Sequence, residues 1–448
     1  MAIDLERHLS FLTQTAGNIS SLAMLASEQY GHRTKKMETR LRKNVIHLCC
    51  YLMFFSLSSG CAEPVVSPMI SPAGLGTSAP NVSLDSKGRP ILSWQRVNKG
   101  LSILEYSILA NGFWSEPIEV ARGEDWFVNW ADIPSVQPVT ESFWAAHYLQ
   151  RTPGGKYAYD VRLRYSKDSG ITWLDAGSPH QDRTLTEHGF VSLFSDAQRL
   201  GVVWLDGREM ATQEEPGGHD GAHGGMTLRS VSMDDEGRYS GRKQIDPLVC
   251  DCCQTAAAVS GGNPLVVYRD RTDSEIRDIS SVRRLQGGWT SPQSIGSDGW
   301  QINACPVNGP ALTVQQDHAA VTWFSGADGN SKIFMARSLN GGESFEKKIR
   351  LDKGYALGRV AAVMYPDNSL FVAWIHRGED GEGQIVGRYV SATNELGEIA
   401  NLVDVAPTRP TGFPKLIASE SETVLAWTDV SAETPMVKTL LIKIDSLK

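Results

Sequence analysis

From Pro80 onward the chain alternates short apolar runs with polar, glycine-bearing turns, and helical periodicity is nearly absent. Runs of this length, rich in Val, Ile, Leu and aromatic residues, read as strands. One phrase ending near an aromatic residue recurs: ILSWQR at Trp94, AAHYLQR at Tyr148, GVVWLDGR at Trp204 and LVVYRDR at Tyr268. It continues as AVTWFSG at Trp323, FVAWIHR at Trp374 and VLAWTDV at Trp427, with successive spacings of 54, 56, 64, 55, 51 and 53 residues. Each phrase follows another strand-like run and a turn, as in PALTVQQDHAAVTW. The first six are followed by a further strand, a Gly-containing turn and one more strand. Four short strands per repeat of this length are the sequence form of a propeller blade. The pattern therefore predicts an all-β propeller over residues 78–448, built of seven four-stranded blades, with six blades and an appendage as the alternative. The seventh unit stops near Ile444, one strand short. A strand near Val65 to Ile70 would complete it and remove an exposed edge.

The turn after the third strand carries a sharper pattern. SKDSGITW, from Ser166 to Trp173, has the form S-x-D-x-G-x-T-W. In it Asp168 can accept backbone N–H groups as in an Asx turn, Gly170 can take positive φ, and Trp173 can pack between sheets. Thr172 completes the motif. SLNGGESF from Ser338 repeats it with Asn340 and Phe345, and SMDDEGRY from Ser232 is a looser version with one extra residue. These segments resemble the Asp box of the sialidase-like BNR-repeat propellers. The resemblance covers nearly the whole body for architecture. It implies that the boxes are structural staples on the face opposite the active site.

The N-terminal segment reads as an address. A basic stretch from Met37 precedes the apolar run Val45 to Leu57, and Ser58-Ser59-Gly60-Cys61 comes next. The run is too short to span a bilayer, for which about 20 residues are needed, and suits a secretory signal. Its end resembles a bacterial lipobox, with Ser58 where that pattern prefers Leu, so Cys61 is the expected lipidation site. The expectation is an exported protein of the periplasm or cell surface, touching the membrane only through that anchor. Residues 1–36 read as a mis-assigned extension before the signal (37–61), and residues 62–77 as a Pro/Ser/Gly-rich tether.

Composition narrows the partners. The formal charge is −8, which opposes binding to phosphate backbones and argues against nucleic acid. Propeller geometry gathers loops leaving the second strand and loops feeding the inner strand at one end of the channel. Arg96, Arg151, Arg208, Arg269, Arg271 and Arg377 all fall just after the aromatic phrases, and Asp206 and Asp270 accompany them. Converging guanidinium groups would hold an acidic glycan or another small anion through bidentate contacts. Alternatively, each Arg solvates the rim or pairs with a neighbouring carboxylate.

The loops feeding the inner strands carry the remaining chemistry. VCDCCQTAA places Cys250, Cys252 and Cys253 before blade four, NACPVNGPA places Cys305 before blade five, and TEHGF places His188 before blade three. Four Cys in an oxidising compartment suit disulfides; a C-x-C-C cluster with a distant Cys also suits copper or zinc. His219 and His223 add a further pair in a Gly-rich loop.

The resemblance implies an exo-glycosidase acting on acidic sugars, with no cofactor required. Such a mechanism needs an Arg cluster, an Asp acid/base, and a Tyr that attacks with help from a carboxylate. Asp206, Asp270 and Tyr268 are the residues available for those roles, although Tyr268 occupies the repeated aromatic slot and also suits the core. The F/Y-R-I-P motif that supplies one sialidase arginine has no counterpart between Pro80 and Arg122; Arg96 is the nearest substitute. A non-catalytic propeller that binds a glycan or protein at the envelope, or a metal-binding protein built on the Cys cluster, are the competing readings.

Overall fold

The second strand of each repeat is an unbroken apolar run because it has no solvent face. In Leu370–Arg377, for example, six consecutive residues are buried before His376 and Arg377 emerge at the rim. Strands covered on both faces read this way. The outer strands, such as Tyr239–Val249, are largely exposed. The computed structural model describes residues 66–155, 157–212, 225–378, 381–419 and 422–447. Cys61, the signal segment, and the His219 and His223 loop lie outside the described residues.

Seven antiparallel sheets of four main strands succeed one another in chain order. The inner strands are Thr77–Leu84, Ser135–Pro138, His188–Asp196, Ala256–Ser260, Ala311–Gln315, Ala356–Met364 and Lys415–Ala418. Each inner strand touches the next, and the last touches the first, so the sheets form a closed ring. Val66–Met69, within the stretch read as a tether, supplies the outermost strand of blade seven. It pairs with Met436–Ile442, from Val66 opposite Ile442 to Met69 opposite Thr439. Ser71 then donates to the Val437 carbonyl at 2.6 Å across 366 residues of sequence.

The repeated aromatic residues hold neighbouring blades together. Trp204 packs on Leu149, Tyr159 and Leu163 of blade two, Trp323 on Leu265, Val267 and Ile279 of blade four, and Trp374 on Ile333 and Met335 of blade five. All three indoles are essentially inaccessible to solvent. Hiding a ring of this size is worth about 3 kcal/mol or more.

The Asp-box turn closes as its residues dictate. Ser166 Oγ donates to Asp168 Oδ1 at 2.7 Å, and Thr172 donates to Asp168 through its backbone N–H (2.8 Å) and its hydroxyl (2.6 Å). Gly170 has φ of 86°, and its carbonyl accepts the Tyr106 hydroxyl at 3.1 Å. Trp173 stands edge-on to Tyr106. The Asn340 box repeats the pattern, with Ser338 Oγ and the Ser344 N–H on Asn340 Oδ1. The looser segment differs: Ser232 Oγ accepts Arg199 Nε instead, and Asp234 alone organises the turn. All three turns join the third strand to the fourth, at the end of the ring away from the loops that feed the inner strands.

Candidate functional site

Those feeding loops and the ends of the second strands meet at the upper mouth of the channel. Thr77 lies opposite Arg96, His188 opposite Asp206, and Val249 bridges to Asp270. The arginines and cysteines thus share one rim, but the guanidinium groups are held by separate local partners. Arg96 pairs with Glu105. Arg151 is exposed and lies over the Phe127 ring, 5.2 Å from its centroid. Arg269 is buried and donates to the carbonyls of Asn308, Arg277 and Phe324 at 2.8, 2.5 and 2.7 Å. Arg271 is bound by Asp251 (2.9 Å) and Glu275 (2.6 Å), and Arg377 is exposed at its strand end. The expected arginine funnel is not assembled: Arg96, Arg208, Arg269 and Arg271 are engaged by local acceptors, and Arg151 and Arg377 stand exposed at their strand ends.

The expected catalytic set also disperses. Tyr268 is 1% exposed, sits in the core, and donates to Asp246 at 2.6 Å. Burial and the Asp246 charge push its phenol far above the ordinary range, which suits a core residue. Asp270 accepts Ser280 Oγ at 2.7 Å and the Arg271 N–H at 2.8 Å, which makes it a turn-former. Asp206 is fully buried, accepting Trp204 Nε1 at 2.7 Å and two Arg208 nitrogens at 2.7 and 2.6 Å.

Asp206 belongs to a network of which the chain's repeat pattern marks only His188 and Arg208. His180 and His188 stack with ring centroids 3.9 Å apart. His188 Nε2 and the Arg208 guanidinium both reach Asp182, each at 3.0 Å. Burial opposes ionisation of Asp182, but hydrogen bonds from His180, His188 and Thr184 outweigh it and hold the carboxyl far below its usual range. Asp182, His188 and Asp206 have the donor atoms of a cation site. Arg208 already supplies the positive charge there, so the arrangement is a closed ion network on the wall of a cavity of about 280 Å³.

A different set of acids faces the channel. Asp132, in the loop feeding blade two, lines a cavity of about 240 Å³ walled by the inner strands, with Gln254, Thr255, Ser192 and Lys415 around it. Its Oδ1 accepts the Phe190 N–H at 2.8 Å, while the buried Oδ2 makes no hydrogen bond of ordinary length and has the Tyr159 hydroxyl nearby. A bulge in blade three aims that N–H: the register shifts between Gly189 and Ser192, and Phe190 takes φ of 51°. Gly189 is required beside it, since a Cβ there would stand 2.0 Å from Asp132 Oδ2.

The same device recurs in blade six, where Arg359 (φ 57°) donates to Asn308 Oδ1 at 2.7 Å and Gly358 makes the room. There an amide does the structural job, so the negative charge at Asp132 is not needed for folding. Burial, together with the nearby Glu187 charge, pushes the Asp132 carboxyl up to about 7. Burial and the Asp251 charge push Glu187 up to about 7 as well. Between them lies Tyr159, its hydroxyl 3.5 Å from Glu187 Oε2 and its ring stacked on Phe127 at 4.0 Å. Lys415, on the same cavity wall, is pulled down to about 8 by desolvation. The signal for Asp132 and Glu187 is their place in the loops feeding inner strands, where Cys and His stand out by residue type and a carboxylate does not.

The cysteines converge on the same mouth. Cys250 and Cys253 are buried, Cys252 is partly exposed, and Cys305 is exposed; all four are free thiols. The sulfur atoms of Cys250, Cys252 and Cys253 lie within 4.8 Å of one another, and Cys305 is within hydrogen-bonding reach of Cys252. Cys252 is also close enough to Tyr159 to raise its phenol further.

No family model matches the chain, and no curated protein matches it. Among solved structures it is similar to an α-L-arabinanase from Penicillium chrysogenum, at 11% identity and TM-score 0.47, covering 86% of this chain and 100% of that one. It is also similar to an α-L-arabinofuranosidase from Fusarium graminearum, at 12% identity and TM-score 0.45, with 86% and 97% covered. A Hadza microbial sialidase aligns at 12% identity and TM-score 0.45, with 78% and 75% covered. The blade count rests on the sheets themselves. The closed ring of seven antiparallel sheets defines a seven-bladed β-propeller.

Proposed function

We propose that the protein is a glycan-active hydrolase working at the upper mouth of its channel, with Asp132 and Glu187 as the acid/base pair. The observation that carries this reading is the Asp132 oxygen without an ordinary hydrogen bond in the channel cavity, on a carboxyl raised to about 7. Asn308 performs the equivalent backbone task without charge. Both carboxyls lie near neutrality, so each can exchange a proton at ordinary pH, which is what acid and base roles in cleavage of a glycosidic bond require. The protonated member delivers its proton to the leaving oxygen, and the ionised member activates water. An acidic substituent on the sugar would pair with Lys415 in place of the expected arginines. The reaction needs no cofactor.

The test is a panel of fluorogenic glycosides, neutral and acidic, assayed with the parent, Asp132→Asn and Lys415→Met. Asp132→Asn should fold and lose about 10²- to 10⁴-fold in kcat. Lys415→Met should lose about tenfold or more in kcat/KM on uronides or sialosides and little on neutral glycosides. No turnover on any glycoside would leave the non-catalytic binding reading in its place, whereas full activity in Asp132→Asn would remove Asp132 from the chemistry. The reading includes a cell-envelope location with Cys61 as the lipid anchor, supported by the basic, apolar and small-residue order of the N-terminal segment. Mass spectrometry of the mature terminus tests it, and an unmodified terminus downstream of Cys61 removes it.

A further inference from the structure

Beside the acid pair, the loop Cys250 to Cys253 folds three sulfur atoms toward a common centre instead of pairing them. All three lie within 4.8 Å of one another. A soft closed-shell ion bound by thiolates at about 2.3 Å sets its sulfurs about 4.0 Å apart in a trigonal site and about 3.8 Å apart in a tetrahedral one. The cluster therefore needs to tighten by less than about 1 Å. Adjacent Cys252 and Cys253 are poor disulfide partners, since consecutive Cα atoms sit about 3.8 Å apart and a disulfide ordinarily spans about 4.4 Å or more. The surroundings suit a thiolate centre, which carries net negative charge once metallated. Arg277, buried to 3% exposure, points a guanidinium N–H at Cys250 Sγ at 3.6 Å. Such an outer contact orients and charge-balances a sulfur ligand. Cys305 comes from the next blade and, by contacting Cys252, offers a fourth sulfur from the open side.

We propose that Cys250, Cys252 and Cys253 form a binding site for a thiophilic metal ion, Cu(I) in a three-thiolate arrangement or Zn(II) when Cys305 joins as the fourth ligand. Each coordinating thiol gives its proton to solvent on binding, so uptake strengthens with pH. The site is independent of glycan turnover and is read by metal content.

Reduced full-length protein, handled without oxygen, is titrated with Cu(I) supplied as its bicinchoninate complex and, separately, with Zn(II) against a chromophoric chelator. The expected result is one ion per chain, with affinity lowered more than about 100-fold in Cys252→Ser, beyond the 10- to 100-fold typical of losing an outer contact. Cys305→Ser separates the two ions. Loss of Zn(II) affinity with Cu(I) affinity retained bears out the two arrangements, whereas equal loss of both makes Cys305 a ligand to Cu(I) as well and overturns the three-thiolate arrangement. Cys252 and Cys305 are both at least partly exposed, so neither substitution opens the core. No tight uptake of either ion by the reduced protein, or uptake unchanged in Cys252→Ser, overturns the proposal.

Discussion

Asp132 illustrates how one carboxyl can cost stability where it stands. Its ordinary value of 3.8 is raised to about 7 in the fold. The folded state therefore holds a proton that the unfolded chain has released between these values, and stability declines as pH rises through that window. Asp132→Asn should raise the unfolding free energy by about 2 to 4 kcal/mol at pH 8 and change it little at pH 4, as denaturant titrations at the two pH values will read. Activity carries the same signature. The pH profile should fall on both sides of neutrality, as the two carboxyls become both protonated or both ionised, and Asp132→Asn should abolish one limb. Gly170 is the opposite case, a residue fixed by shape alone. At φ of 86°, with a Cβ 2.5 Å from the Tyr106 hydroxyl and 2.8 Å from Trp144, Gly170→Ala should cost about 2 to 4 kcal/mol by thermal unfolding and leave the chemistry at the far face intact. Gly170 was legible in the Asp-box spacing because its constraint is local. Asp132 was not, because its environment is assembled from blade three and from a bulge that no one-dimensional pattern announces.

At the scale of elements, the apolar phrases announced the second strands correctly because burial on both faces leaves an uninterrupted hydrophobic run. Their aromatic members mark blade-to-blade contacts, and Trp204→Ala should cost about 3 to 5 kcal/mol, measured by denaturant unfolding. The polar residues at the end of each phrase were less legible. The same topological position holds a buried, carbonyl-capped guanidinium at Arg269, an exposed one at Arg377 and a carboxylate-locked one at Arg208. Equivalence of place does not give equivalence of direction, since the side chains opposite differ from blade to blade. The short strand Val66–Met69 makes an element-scale prediction of its own. Removing residues through Ile70 exposes the backbone edge of Met436–Ile442. The truncated protein should unfold at lower temperature and aggregate with rising concentration, as light scattering during a thermal ramp will report.

Across the whole molecule, repetition made the architecture readable and concealed the chemistry. Copies of one unit fix a ring, whereas a reactive centre arises where the copies depart from one another: Asp132 where another blade has Asn308, and three clustered cysteines where one other feeding loop has the single Cys305. The ring also joins Ser71 to Val437 across 366 residues, and this sets an order of events during synthesis. Val66–Met69, the first strand of the ring to be made, has no neighbour to pair with until almost the entire polypeptide has been made. Assembly is therefore completed by a long-range handshake and not by the successive docking of finished modules. A nascent chain halted before Met436 would keep its opening strand without a partner.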